Sequence, residues 1–194
     1  MIYLNTDGLT SGALRPGDRL LFGRYPKDSD TPEPIEWRVL AAENGRALML
    51  SEYVLDAHIY DVKSSVWKTS ELRGWLNIVF SGKAFSAAEQ MMIPVVNGDK
   101  VTLLDQIEAE KYLGSLREPT PEGYRSYPGR TAEFTPYAMS RAILGTGEGW
   151  WWLRSHREQD VCTEFVDING IIYHSAPGVI RDRGGVRPVI SLIL

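Results

Sequence analysis

Apolar and polar residues alternate in short runs near both ends of the chain, and a stretch with helical spacing lies between them. Residues 19–25 follow the turn residues Pro16-Gly17-Asp18 and read as a strand. A loop rich in Pro and Asp is expected over residues 26–34. Beyond it, Ile35, Trp37 and Val39 alternate with Glu36 and Arg38, the period of a half-buried strand. Asn44-Gly45 joins this strand to residues 47–50 and supplies two positions tolerant of positive φ, as a type I′ hairpin requires.

In the middle, Leu72, Trp75, Leu76, Val79 and Phe80 fall at i, i+3, i+4, i+7 and i+8, which predicts one apolar helix face capped by Ser70 or Thr69. Ser86-Ala87-Ala88-Glu89 is a capping box for a second helix that Pro94 stops. A short strand is expected within 101–104, and Asp105 with Glu108 opens a third helix ending at Gly114. Residues 114–135 carry Pro119, Pro121, Gly123, Pro128 and Gly129 without periodicity and read as a long loop. Thr135-Pro136 places Pro at the first helical position, starting a helix through Ile143 or Leu144. Residues 150–153 read as a buried strand, and 161–168 with 171–174 as a second Asn-Gly hairpin. A two-residue turn there sets Ile168 opposite Ile171, Val166 opposite Tyr173 and Phe165 opposite His174. Residues 186–193 form a final strand, with Pro188 at an edge or at its start. The order of elements predicts one α+β domain over residues 1–194, mainly antiparallel, with 1–15 as an extension or first strand.

Composition narrows the function classes. The chain has 194 residues, 43% of them hydrophobic, enough for a sizeable core without covalent staples. Its 21 basic residues against 25 acidic ones give a net charge of −4, without the basic footprint of a general nucleic-acid binder. One cysteine, Cys162, excludes an internal disulfide framework and a cysteine-rich zinc site. No apolar run reaches the ~18 residues of a membrane span. The first residues show neither a basic nor an apolar signal region, so a cytoplasmic or virion-associated address is expected ahead of secretion.

Several motifs in order carry a resemblance. They are Ile35-Glu36-Trp37-Arg38-Val39-Leu40, Leu72-Arg73-Gly74-Trp75-Leu76-Asn77 followed by Ala84-Phe85, Thr135-Pro136-Tyr137-Ala138, Trp150-Trp151-Trp152-Leu153-Arg154-Ser155, and Gly185-Val186-Arg187-Pro188-Val189. From about Pro16 onward they resemble the bacterial domain-of-unknown-function family 6273. That family resembles the C-type-lectin-like fold, in the branch of the formylglycine-generating enzymes and the variable proteins of retroelements. The resemblance implies a mainly antiparallel sheet with a few helices and long irregular loops, in which terminal strands come together. It also implies that residues 154–183 display a binding surface. His156-Arg157-Glu158-Gln159-Asp160 stands where the family has a small Pro-Gly loop. The formylglycine-generating enzymes act through cysteines at a copper site, and with Cys162 alone this chain is not expected to share that activity.

Candidate chemistry is sparse. In a strand Trp150 and Trp152 share a face and Trp151 takes the other, so the run is either a stacking platform or core. Arg154, Arg181, Arg183 and Arg187 could clamp an anion, or pair with Asp160, Glu164, Asp167 and Asp182, and Arg187 reads as structural. His58, His156 and His174 lack the spacing of a helical metal pair. Asp28-Ser29-Asp30 and Asp167-Ile168-Asn169-Gly170 are fragments of calcium loops that turn chemistry also explains, so calcium stays open and no other cofactor is expected. The glycine run 145–149 follows a helix and lacks the context of a phosphate loop. The expectation is a non-catalytic binding module whose displayed residues are Trp152, Arg154, His156, Arg157, Tyr173, His174, Arg181 and Arg183, facing a protein or glycan partner. One alternative is a hydrolase- or oxidoreductase-type enzyme using His156 or His174 with a carboxylate. Another is a structural domain of a surface or phage assembly.

Overall fold

In the computed structural model the chain is described over residues 2–3, 14–114, 118–119, 125–142, 149–156, 162–174 and 182–194. Strands β1 (Ile2–Tyr3), β2 (Arg19–Pro26), β3 (Pro32–Glu43), β4 (Arg46–Ser51) and β5 (Asp56–His58) come first. A helical layer follows, with α1 (Glu71–Trp75), a π-helical turn over Leu76–Phe80, α2 (Ser81–Ala84) and α3 (Ala87–Met91). Then come β6 (Val101–Thr102), α4 (Gln106–Leu113), β7 (Glu118–Pro119), β8 (Arg125–Ser126) and α5 (Pro136–Arg141). The chain closes with β9 (Trp151–His156), β10 (Thr163–Val166), β11 (Ile172–His174), β12 (Gly184–Val186) and β13 (Val189–Ile193).

The strands form an open six-stranded sheet in the order β1-β2-β3-β4-β13-β6, a five-stranded sheet β11-β10-β9-β12-β5, and the pair β7-β8. All neighbours are antiparallel except β1 with β2 and β9 with β12. The architecture is therefore α+β with mainly antiparallel sheets. Strand alternation splits the core in two. Met49 and Ile190 point to the helical layer with Trp37, Leu72, Leu76, Phe80 and Phe85. Their neighbours Leu50 and Val189 point the other way, to Trp151, Leu153, Ala109 and Leu113 on β9 and α4.

Local chemistry accounts for most boundaries. Asn44 and Gly45 have φ of 52° and 71°, and Glu43 pairs with Arg46 across the tight turn. Both capping boxes form, Ser86 with Glu89 and Asp105 with Glu108, and Ser70 and Thr135 cap α1 and α5. The Pro- and Asp-rich loop is shorter than its composition suggests, because Pro26 pairs with Pro32 and extends the β2–β3 hairpin. Helix α5 stops at Arg141, after which Ala142 turns extended, while Ile143 and Leu144 lie outside the described residues.

Three expectations are corrected. Leu72, Leu76 and Phe80 are fully buried and Trp75 half-buried, but Val79 is exposed. The π turn explains this, since an i→i+5 repeat advances each residue by a smaller angle and swings Val79 off the face. Residues 186–193 are not one strand: Arg187-Pro188 carries the chain from the five-stranded sheet to the six-stranded one, where Pro188 precedes β13. The second Asn-Gly hairpin is shifted by one residue. Val166 faces Ile172, Phe165 faces Tyr173 and Glu164 faces His174. The cause is Asp167, whose Oδ1 accepts from the amides of Asn169 and Ile171 at 2.9 and 2.7 Å. That bond lengthens the turn to three residues and puts the positive φ, 74°, on Gly170 alone.

Candidate functional site

The corrected register decides what strand β11 displays. Trp152, Phe165 and Tyr173 stand in line across β9, β10 and β11. Trp150 packs edge-on against Trp152, with centroids 4.5 Å apart, and against Phe165 at 5.1 Å. Phe165 stacks on Tyr173 at 5.9 Å and 29°, and Tyr173 is 46% exposed. A row of rings thus runs from the core to the open edge of the sheet. Trp152 is its buried end: the ring is fully covered and its Nε1 donates to the His58 carbonyl at 2.9 Å. It supports the surface from beneath and is not itself displayed. Gly184 permits the arrangement, because a Cβ there would lie 2.1 Å from the Trp150 ring.

On the other face of the same strands sits a buried carboxylate. Glu164 is 5% exposed; its Oε2 accepts from Ser155 Oγ, and its Oε1 lies 3.2 Å from His174 Nδ1. Ser155 Oγ in turn accepts from the Gln106 amide at the first position of α4, at 3.2 Å. The carboxylate stands between hydroxyl and imidazole, so the imidazole is not placed to take the Ser155 proton as a nucleophile's base must be. Nearby, Tyr60 donates to the Arg154 carbonyl at 3.3 Å, and burial pushes its phenol well above the ordinary range.

Arg154 and Arg187 take separate partners. Arg154 donates Nε to the Leu103 carbonyl at 2.9 Å and pairs through Nη2 with Asp105 and Glu108 at 3.0 and 2.7 Å. Both carboxylates come from the α4 capping box, not from the acidic residues near Arg154 in sequence. Arg154 and Glu108 wall a cavity of about 190 Å³ that Trp67 also lines. Arg187 is buried over the Trp151 ring and donates to the carbonyls of Ser51 and Glu52, while its Nη1 has no partner. Burial pulls its guanidinium below the usual value, and the charge of Arg38 adds to this. Burial would raise the Glu52 carboxyl, but the hydrogen bond from Arg38 and the charges of Arg38, Arg19 and Arg187 outweigh it and hold Glu52 low.

Of the remaining expected residues, Arg183 is exposed beside Gly184, whose neighbour across β5 is His58. His156 ends β9, its backbone opposite Thr163. Arg157 and Arg181 lie outside the described residues. The structure therefore sets Tyr173 and the rings behind it on one face of β11 and His174 with Glu164 on the other, and it places Arg154 in a separate ion-paired cluster. Sequence reasoning missed Glu164 as the partner of His174. The signal that could have found it was Asp167, whose side chain competes for the turn amides and fixes the pairing.

Residues 44–194 match the family described as a domain of unknown function, DUF6273. The chain belongs to this family. The match contains the Leu72–Asn77, Trp150–Ser155 and Gly185–Val189 motifs, whereas the Ile35–Leu40 motif precedes it. No curated protein and no solved structure matches the chain.

Proposed function

We propose that the chain is a non-catalytic ligand-binding module that presents the β10–β11 edge to a protein or glycan partner. The observation that carries this reading is the row Trp150–Phe165–Tyr173, held on a rigid sheet and ending in an exposed ring. Tyrosine offers a large amphipathic contact with few rotatable bonds, so a ring fixed from behind loses little entropy on binding. His174, the next residue on β11, turns to the opposite face, where its Nδ1 meets the buried Glu164 carboxylate. A C-type-lectin-like arrangement is part of the proposal. It is supported by β13 lying in the same sheet as β1 and β2, although the β3–β4 hairpin separates them.

The test is a glycan array in parallel with capture from the native host, each run with wild type and Tyr173→Ala. The proposal expects a glycan or protein held by wild type and lost by Tyr173→Ala at unchanged Tm. Retention of every partner by the variant refutes it. A second reading, an enzyme, is favoured by one observation, the 3.2 Å approach of His174 Nδ1 to a buried carboxylate, the arrangement that orients a general base. Turnover of a chromogenic ester or glycoside that disappears in His174→Gln would establish it over the first.

A further inference from the structure

We propose that a second pocket, between the β2–β3 hairpin and the segment after β4, binds a small apolar carboxylic acid through Lys27. The pocket has a volume of about 230 Å³ and shares no residue with the Tyr173 edge. Its walls are apolar: Leu21 and Pro26 from β2, Ile35 from β3, and Leu55, with the rings of Tyr25 and Tyr53. At roughly 30 Å³ per water-sized group, it holds about eight such groups, the size of one ring with a short arm.

The walls are fixed before any ligand arrives. Tyr25 Oη donates to Asp56 Oδ2 at 2.6 Å, and Arg141 Nε holds the other oxygen of that carboxylate at 2.6 Å. The start of α5 is tied down twice, by the Thr135 amide to the Val54 carbonyl at 3.0 Å and by the Tyr137 amide to the Lys27 carbonyl at 2.8 Å. The Lys27 backbone is therefore anchored while its side chain extends over the pocket.

Charge selects the ligand. Two charged side chains line the pocket, Lys27 and Glu36. Glu36 is already neutralised by Arg19 Nη1 at 2.7 Å. Lys27 Nζ sits 5.0 Å from the centroid of the Tyr53 ring, and among the described residues it has no ion pair. A carboxylate on an apolar body would replace that half-buried cation–π contact with a stronger charge-assisted hydrogen bond and cover the apolar wall. A cation would meet the uncompensated ammonium.

The experiment titrates 3-phenylpropionate, 3-phenylpropan-1-ol and 3-phenylpropylamine into wild type, Lys27→Gln and Lys27→Arg by calorimetry, with amide chemical shifts mapping the site. The acid is expected to bind wild type at least about tenfold more tightly than the alcohol, the size of one charge-assisted hydrogen bond. Lys27→Gln should erase that preference and Lys27→Arg restore it, with shifts centred on Leu21, Lys27 and Tyr53. Equal binding of acid and amine, an acid preference surviving Lys27→Gln, shifts centred on another surface, or no binding of the acid at millimolar concentration would each overturn the proposal.

Discussion

Replacing Asn77 by Ala tests how the helical layer is fastened to the sheet. Asn77 lies in the π turn and reaches β6 with both ends of its amide. Its Nδ2 donates to the Val101 carbonyl at 2.9 Å and to the Arg73 carbonyl at 3.0 Å. Its Oδ1 accepts from the amides of Lys100 and Val101 at 2.8 and 3.2 Å. Truncation to Ala strands three backbone groups of the 100–101 segment against a fully buried Val101. At about 1 kcal/mol net for each, the loss is about 3 kcal/mol. For a chain of this size a kcal/mol moves Tm by about 2–4 °C, so the midpoint should fall by about 6–12 °C. Ile78→Ala is the control, one residue along the same turn and 77% exposed, and it should stay within about 0.5 kcal/mol. Calorimetric melts give the midpoints, and hydrogen exchange at the Lys100 and Val101 amides reads the clamp directly. If Asn77→Ala melts within a degree of wild type, or costs no more than Ile78→Ala, the clamp contributes nothing and the reasoning fails.

Gly184→Ala should force the Trp150 ring aside, since the added Cβ would lie 2.1 Å from it; overpacking of this kind costs about 1–3 kcal/mol, and near-ultraviolet circular dichroism should register the displaced indole. Burial, then the charge of Asp56 and its hydrogen bond, push the Tyr25 phenol far above its ordinary value, as burial does for Tyr60. The unfolded chain therefore loses these protons first: stability is full below pH ~10 and falls as pH rises beyond it, and urea unfolding of Tyr25→Phe should show a shallower alkaline decline. Treatment with EDTA should leave Tm unchanged, because the Asp167 turn is closed by its own bonds, Oδ1 accepting from the Asn169 and Ile171 amides; a drop on chelation that calcium reverses would contradict this.

Elements governed by local chemistry were legible from sequence. Asn44-Gly45, the two capping boxes and Thr135-Pro136 act within three or four residues, and each appears where its pattern stands. What local pattern cannot carry is competition and tertiary choice. At 167–170 the Asn-Gly signal lost to Asp167, and a slip of one residue exchanged the partners of Phe165, Tyr173 and His174. The apolar run 186–193 has one period but serves two sheets, and only Arg187-Pro188 marks the crossing. In the site, Tyr173 and His174 were legible as displayed residues because they end a hairpin strand. Burial of Trp152 and the pairing of Arg154 with Asp105 and Glu108 depend on elements distant in sequence, which no spacing rule relates to them.

The central claim is that the edge formed by β10 and β11 is the contact surface. Hydrogen exchange of the protein alone and with its captured glycan or protein partner measures this most directly. The account predicts slowed exchange across residues 163–174, with the helical layer at 76–91 unchanged. Protection confined to the helical layer, or to the Arg154 cavity, would contradict it.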